Sequence, residues 1–290
     1  MGLHPYDRLH PAACCGVVLF LSAGVAKSGD RQKLDQTSLH SGIQGQCGSL
    51  HTLSITPSLI PIDFLHATFL GKKMLKMTLE KKKGKYPRVL CLGAHCDDIE
   101  IGCGGTLLRL IDEYQDIEFY WAIFCSNQER EKESYKSFEN FLKKVQKKDI
   151  NIYNFKDGFL PYQADKAKDI FEEMKKWFVP DVVLTHYRDD RHQDHRTVSD
   201  LTWNTYRDHL ILEYEIPKYD GDLGSPNFFV ELSEATCRKK IDNVLHAYTS
   251  QRDKHWFTED IFLAMSRLRG MEACAKSKYA EAFYCRKIVL

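Results

Sequence analysis

Two short stretches carry more ionisable side chains than a fold needs. "LGAHCDDIEIGCGG", Leu92 to Gly105, holds His95, Asp97, Asp98 and Glu100; "HYRDDRHQDH" holds His186, Tyr187, Asp189, Asp190, His192, Asp194 and His195. On a helical start, residues three apart share a face. His95 with Asp98, and His192 with His195, thus form pairs able to grip one ion, with Asp97 beside the first pair. Two imidazoles and a carboxylate are a nitrogen and oxygen set suited to Zn2+, and three protein ligands leave the open position that a catalytic metal requires. Such an ion brings the pKa of a bound water from 15.7 toward ~7 and polarises a substrate carbonyl. Asp97 then has the place of a general base, worth roughly 10²- to 10⁴-fold. A histidine outside the ligand set can donate to a tetrahedral oxyanion, where losing one donor costs ~2.7 to 4 kcal/mol. Spacing alone does not decide whether His192 or His195 is the ligand. A single His-Asp pair is as well read as a surface hydrogen bond, and it is the two clusters together that favour a metal.

Each cluster follows an apolar run, as expected where strands deliver polar loops at their carboxyl ends. Arg88 to Gly93, Glu118 to Cys125, Asn151 to Phe155 and Asp181 to His186 read as strands. Helical spacing over Gly104–Glu113, Glu129–Lys147, Ala164–Phe178 and Asp194–Arg207 alternates with them. That order predicts an α/β fold of Rossmann-like type: a mainly parallel sheet with helices on both faces. The C-terminal portion is more elaborate. "LILEYEIP" and "NFFVEL" read as strands separated by the turn-rich "KYDGDLGSP", Glu234–His246 and Thr258–Arg269 as helices, and Ala282–Val289 as a last strand. The glycines at Gly102, Gly104 and Gly105 lack the G-x-G-x-x-G spacing, and the acidic residues before them would repel a pyrophosphate, so close strand-to-helix packing is the preferred reading. His186 reads as a strand-end histidine or a pocket wall. The polar segment around Asp220 and Asp222 is long enough to form a substrate rim.

The 290 residues include 43% hydrophobic ones, enough for a sizeable core. Lys and Arg number 41 and Asp and Glu 40, a net charge of +1, so no global field recruits nucleic acid or an anionic membrane. Ten cysteines without a CxxC, several in predicted strands, point to reduced thiols and a cytoplasmic protein. Residues 1–76 lack sustained periodicity and read as an N-terminal extension, unstructured or non-native, before a domain spanning 77–290. Within the extension, the apolar run Ala12 to Ala26 is too short for a bilayer, which needs ~20 residues. It has the length of a signal-peptide core, so export is the alternative to the cytoplasm. Stable membrane insertion is not expected, and a homo-oligomer is left open.

"AHCDDIEIGCGGTL" with the later "HQDH" resembles the PIG-L/LmbE-like family of zinc-dependent N-acetyl-sugar deacetylases, whose motifs read A-H-P-D-D-x-E and H-x-D-H. The resemblance runs from about Arg88 to the C-terminus. It implies that His95, Asp98 and His195 bind zinc and that Asp97 is the base. It further implies that His192 stabilises the oxyanion and protonates the leaving amine, with Asp194 orienting His192. Arg130, at the start of the second helix, stands where relatives often carry a substrate-contacting arginine. Two departures are visible: Cys96 replaces the motif proline, and Asp190 occupies a position where some members have tyrosine. The implied substrate is a small-molecule amino-sugar conjugate that releases acetate. The rivals are a metal-dependent hydrolase of another amide or a phosphate ester, separated by the released product, and a nucleotide- or sugar-binding module with a structural metal, which would show no turnover.

Overall fold

Seven strands form one sheet because the apolar runs alternate with amphipathic helices too long for hairpin connections. The computed structural model describes residues 74–79 and 87–289. The expected extension up to residue 73, with its apolar run, lies outside the described residues, as does the lysine run 81–83. The strands are β1 (Arg88–His95), β2 (Glu118–Cys125), β3 (Lys147–Phe155), β4 (Val182–His186), β5 (Leu210–Tyr214), β6 (Phe228–Leu232) and β7 (Tyr279–Cys285). The helices are α1 (Asp98–Glu113), α2 (Gln128–Phe141), α3 (Ala164–Trp177), α4 (Gln193–Thr205), α5 (Glu234–Ala247) and α6 (Glu259–Glu272). The strand order is β3-β2-β1-β4-β5-β7-β6, with β1 to β5 parallel and β7 antiparallel to both β5 and β6. The fold is therefore the expected mainly parallel α/β sheet with an elaborated C-terminal portion.

Side chains of successive strand residues face opposite ways, and the core divides accordingly. Val89, Cys91, Trp121 and Ile123 pack against Ile99 and Leu107 of α1, Phe138 of α2, Ile241 of α5 and Phe262 of α6. Leu90, Leu92, Tyr120 and Phe124 pack against Ala167 and Phe171 of α3 and Val198 of α4. Because β1 continues to β2 on one side and pairs with β4 on the other, the chain order reverses between β1 and β4. A crevice opens there at the carboxyl ends of the strands, and both motif loops lie at that point. Among the described residues no helix is long and apolar enough to cross a membrane, and the cysteines are unpaired.

Several boundaries differ from expectation for identifiable reasons. Helix α1 begins at Asp98 rather than Gly104, because the Asp98 carboxylate accepts the His95 backbone N–H at 2.6 Å and closes the turn directly after β1. The three glycines are thereby inside the helix, where bulk is excluded: a Cβ on Gly102 would collide with the Tyr214 ring. Helix α2 ends at Phe141 rather than Lys147, and β3 begins at Lys147 rather than Asn151. At the sheet edge β3 is half exposed, so its polar residues give no clean alternation. Strand β7 runs Tyr279–Cys285 rather than Ala282–Val289, since its register is set by pairing with β6, Leu232 opposite Tyr279.

Candidate metal and catalytic site

The turn after β1 is held in a conformation that L-residues rarely adopt. Asp97 has φ 99°, in the left-handed region, where a non-glycine backbone costs of order 1–3 kcal/mol. Arg130 compensates this strain: its guanidinium donates to the Cys96 carbonyl and to Asp97 Oδ1, the latter at 2.9 Å. Arg130 is itself fixed in the first turn of α2, where Asn127 Oδ1 accepts the Glu129 and Arg130 N–H groups. The other Asp97 oxygen, Oδ2, is buried and has no hydrogen-bond partner. Burial pushes the Asp97 carboxyl up to about 6, with the Arg130 charge pulling it down and Asp98 pushing it up. It is a carboxylate at neutral pH with one oxygen uncommitted.

Beside it, Asp98 faces three imidazoles, of which His186 brings Nε2 to 3.2 Å from Oδ2. His95 Nδ1 is 3.5 Å from Asp98 Oδ2, His195 Nε2 is 3.6 Å from Asp98 Oδ1, and the two ring nitrogens are 3.2 Å apart. The outward nitrogens are engaged elsewhere. His195 Nδ1 donates to Asp190 Oδ2 at 2.9 Å, and His95 Nε2 lies 3.2 Å from Asp194 Oδ2 and 3.1 Å from Asp157 Oδ1. Ring orientation is thus set by carboxylates behind the ring, the usual arrangement of metal-ligating histidines. Burial opposes charge on His95, but the hydrogen bonds to Asp157, Asp194 and Asp98 raise it well above the ordinary imidazole range. Burial and the neighbouring His186 push His195 down to about 3. Both inward nitrogens and Asp98 meet at one point. A divalent cation would satisfy the same three groups, so the donor set fits one; His95, Asp98 and His195 could hold it.

His192 stands over this point, its ring 4.7 Å from His95 edge-on and 4.6 Å from His195. Its Nδ1 accepts the Asp194 backbone N–H at 3.2 Å, which leaves the ring proton on Nε2. Burial and the His95 charge keep it below the ordinary imidazole range, so it is neutral at pH 7. The Asp194 carboxylate itself does not reach His192. It accepts from Gly158 N at 2.6 Å, Leu160 N at 3.0 Å and His95. Asp194 therefore positions His95 through its carboxylate and His192 only through its backbone, which differs from the role the resemblance implies. Arg130 is likewise packed against Asp97, with Asp157 3.9 Å away, rather than free at the mouth. His186 is fully buried and accepts the Ala94 N–H on Nε2 at 2.9 Å. It stacks 4.0 Å from His195, and Asp98, His186 and His195 each bring one donor atom within 4.8 Å of the others.

With this geometry in place, similarity to known proteins is informative. The model of the PIG-L family, described as GlcNAc-PI de-N-acetylase, matches residues 90–206. A protein of Escherichia coli K12 described as the uncharacterized deacetylase YaiS is 31% identical over 158 residues, covering 50% of this chain and 82% of its own. The chain belongs to the PIG-L family of deacetylases. Solved structures agree in fold. The conserved protein TT1542 from Thermus thermophilus superposes with TM-score 0.53 at 25% identity, over 70% of this chain and 96% of its own. The N,N'-diacetylchitobiose deacetylase from Pyrococcus horikoshii, complexed with its inhibitor MPG, gives TM-score 0.51 at 22% identity, over 68% and 83% respectively.

Two further carboxylates within the PIG-L match touch these residues. Asp157, after β3, has a side chain 64% exposed and lies between His95 and Arg130 at the mouth. Its signal was present in "FKDGF", a carboxylate just past the carboxyl end of a strand, the same placement that marks the two motif loops. Asp190 is a second: it accepts the His192 N–H on Oδ1 at 2.7 Å and the His195 ring proton on Oδ2. Its position in the acidic run of the second motif was visible, but its direction toward His195 was not.

Proposed function

We propose that this PIG-L protein is a zinc-dependent hydrolase that removes the acetyl group from the nitrogen of an amino-sugar conjugate, releasing acetate. The observation that supports this reading is two ring nitrogens 3.2 Å apart beside Asp98, with Oδ2 of the adjoining Asp97 buried and uncommitted. A zinc ion, when bound by His95, Asp98 and His195, supplies the positive charge that acidifies a water and polarises an acyl carbonyl. Asp97 takes a proton from the attacking water through Oδ2, while Arg130 on Oδ1 keeps the carboxylate oriented and ionised. His192, neutral with its proton on Nε2, donates to the carbonyl oxygen as that atom gains charge. The leaving nitrogen then receives a proton from Asp97 or from His192. Asp157, exposed at the rim, accepts hydrogen bonds from sugar hydroxyls, and Arg130 beneath it limits how deeply the ring enters. Deacetylase relatives and the sugar substrate named for the Pyrococcus protein support an acetylated amino sugar over other amides.

The test pairs metal content with acetate release from N-acetylglucosamine conjugates, for wild type and Asp97→Asn. The expected result is one zinc in both and acetate from wild type alone. Zinc in both without acetate from any conjugate would overturn the substrate class, phosphate release from an ester would favour the rival hydrolase, and no zinc under replete conditions would overturn the mechanism.

A further inference from the structure

The segment Lys218–Pro226, between β5 and β6, has the composition of a substrate rim, but Lys218 and Asp222 turn inward while Asp220 is exposed. Lys218 and Asp222 have side chains only 8% and 6% exposed. Lys218 Nζ donates to Asp190 Oδ2 at 2.8 Å and to Asp222 Oδ2 at 2.6 Å. Asp222 Oδ2 also accepts the backbone N–H of Arg191, inside the second motif loop, at 2.7 Å. Gly221, with φ 60°, supplies the left-handed turn that brings Asp222 back to Lys218. An exposed loop gains nothing from burying an ammonium and a carboxylate, each expensive to desolvate. The pair does, however, complete a chain of contacts that ends on a candidate metal ligand: Asp222, Lys218, Asp190 and the Nδ1–H of His195.

We infer that Lys218 and Asp222 are positioning residues for His195, fixing the tautomer in which its Nε2 lone pair faces Asp98. This rests on the proposed zinc site. Asp190 is 2% exposed and takes both the His195 ring proton and the ammonium on the same oxygen. Both contacts fall on Oδ2, so Lys218 holds the carboxylate where it accepts the Nδ1–H of His195, and the ring presents Nε2 to Asp98. Removing Lys218 leaves Asp190 and Asp222 as neighbouring buried carboxylates without their shared cation. Asp190 then loses the contact that holds its Oδ2 against Nδ1, and His195 loses the partner that fixes the direction of its ring. Arg191 N–H and the Lys218 side chain also tie this loop to the motif loop, so Asp222 holds Lys218 in reach.

Zinc affinity, measured by chelator competition on full-length protein, tests this without a substrate. Lys218→Met is expected to bind zinc roughly 10- to 100-fold more weakly than wild type, as losses behind a ligand do. Lys218→Arg should recover most of the affinity, Asp222→Asn should fall between wild type and Lys218→Met, and turnover should return at saturating zinc. Unchanged zinc affinity in a folded Lys218→Met protein overturns the inference. If Lys218→Met does not fold, Asp222→Asn is read in the same way, and failure of both to fold makes the network structural and overturns it too. Absence of zinc binding by wild type would instead remove the proposed function, and this inference with it.

Discussion

Two buried clusters of charge adjoin α1, one at its first turn and one further along at Gly105 and Thr106, and only the first has chemistry left over. Behind the helix, Glu281 accepts from Gly105 N at 2.8 Å, from Thr106 N and Oγ1 at 2.6 Å each, and from Lys240 Nζ at 2.6 Å. Lys240 also donates to the Ile101 carbonyl at 2.7 Å. Arg269 and Glu215 form a similar closed pair, with two contacts of 2.8 and 2.9 Å, joined by the Tyr284 hydroxyl. At the front of the helix, Asp97 has one carboxylate oxygen without a partner and a strained backbone, and two imidazole nitrogens face each other over Asp98. Burial of a charge is common to both clusters. What separates a structural cluster from a reactive one is whether the donors and acceptors are all used, since a saturated group has nothing to offer a ligand.

The sharpest way to break this comparison is Asp97→Asn. Acetate release should fall by roughly 10²- to 10⁴-fold, while the thermal midpoint holds or rises, because Asn tolerates the left-handed backbone and carries no buried charge. A large loss of stability instead would make the front cluster structural like the rear one. The mirror experiment is Glu281→Gln, which leaves Lys240 buried without its counter-ion; denaturant titration should show a loss of about 3–5 kcal/mol, with turnover per folded molecule unchanged.

Glu100 tests the boundary between the two clusters. It is fully buried, accepts the Tyr248 hydroxyl at 2.5 Å and has Oε2 unpartnered. Burial pushes its carboxyl up to about 7 against an ordinary 4.5, so the folded state binds a proton that the unfolded state has lost. Its stabilising contribution is therefore complete below pH 4.5 and declines as pH rises through 7, by about 3 kcal/mol from linkage. Unfolding free energies of wild type and Glu100→Gln across roughly pH 4.5 to 8 should diverge with rising pH, the variant lacking this slope. The smallest expected effect is Thr106→Val, which removes one hydroxyl donor from a Glu281 that keeps its other contacts. A loss of about 1 kcal/mol without change in turnover is expected. A larger loss would mean that the rear cluster acts as a cooperative unit.

How much is legible in the sequence varies with the range of the interaction. Parallel alternation of strands and helices is readable because apolar runs and helical stripes are local patterns, and the two motif loops are readable because ligand pairs recur at short spacing. Local pattern starts helix α1 at Gly104, because glycines resemble a helix boundary, whereas the Tyr214 ring across the sheet is what demands Gly102 inside it. The resemblance makes Asp194 the partner of His192, while its carboxylate accepts from the Gly158 and Leu160 backbone 36 and 34 residues away. Arg130 reads as a substrate contact, and its pairing with Asp97 depends on how α2 crosses the β1 turn.

The sequence by itself determined the mainly parallel α/β class, the family and the pool of candidate ligands, because these follow from period, residue type and near-neighbour spacing. Only the tertiary structure decided which nitrogen of each histidine faces inward, which carboxylate stands behind it, and that Lys218 and Asp222 adjoin the site. Those choices are made by hydrogen bonds about 3 Å long between residues that chain connectivity leaves far apart, and a directional contact of that kind has no signature until the backbone has placed both ends.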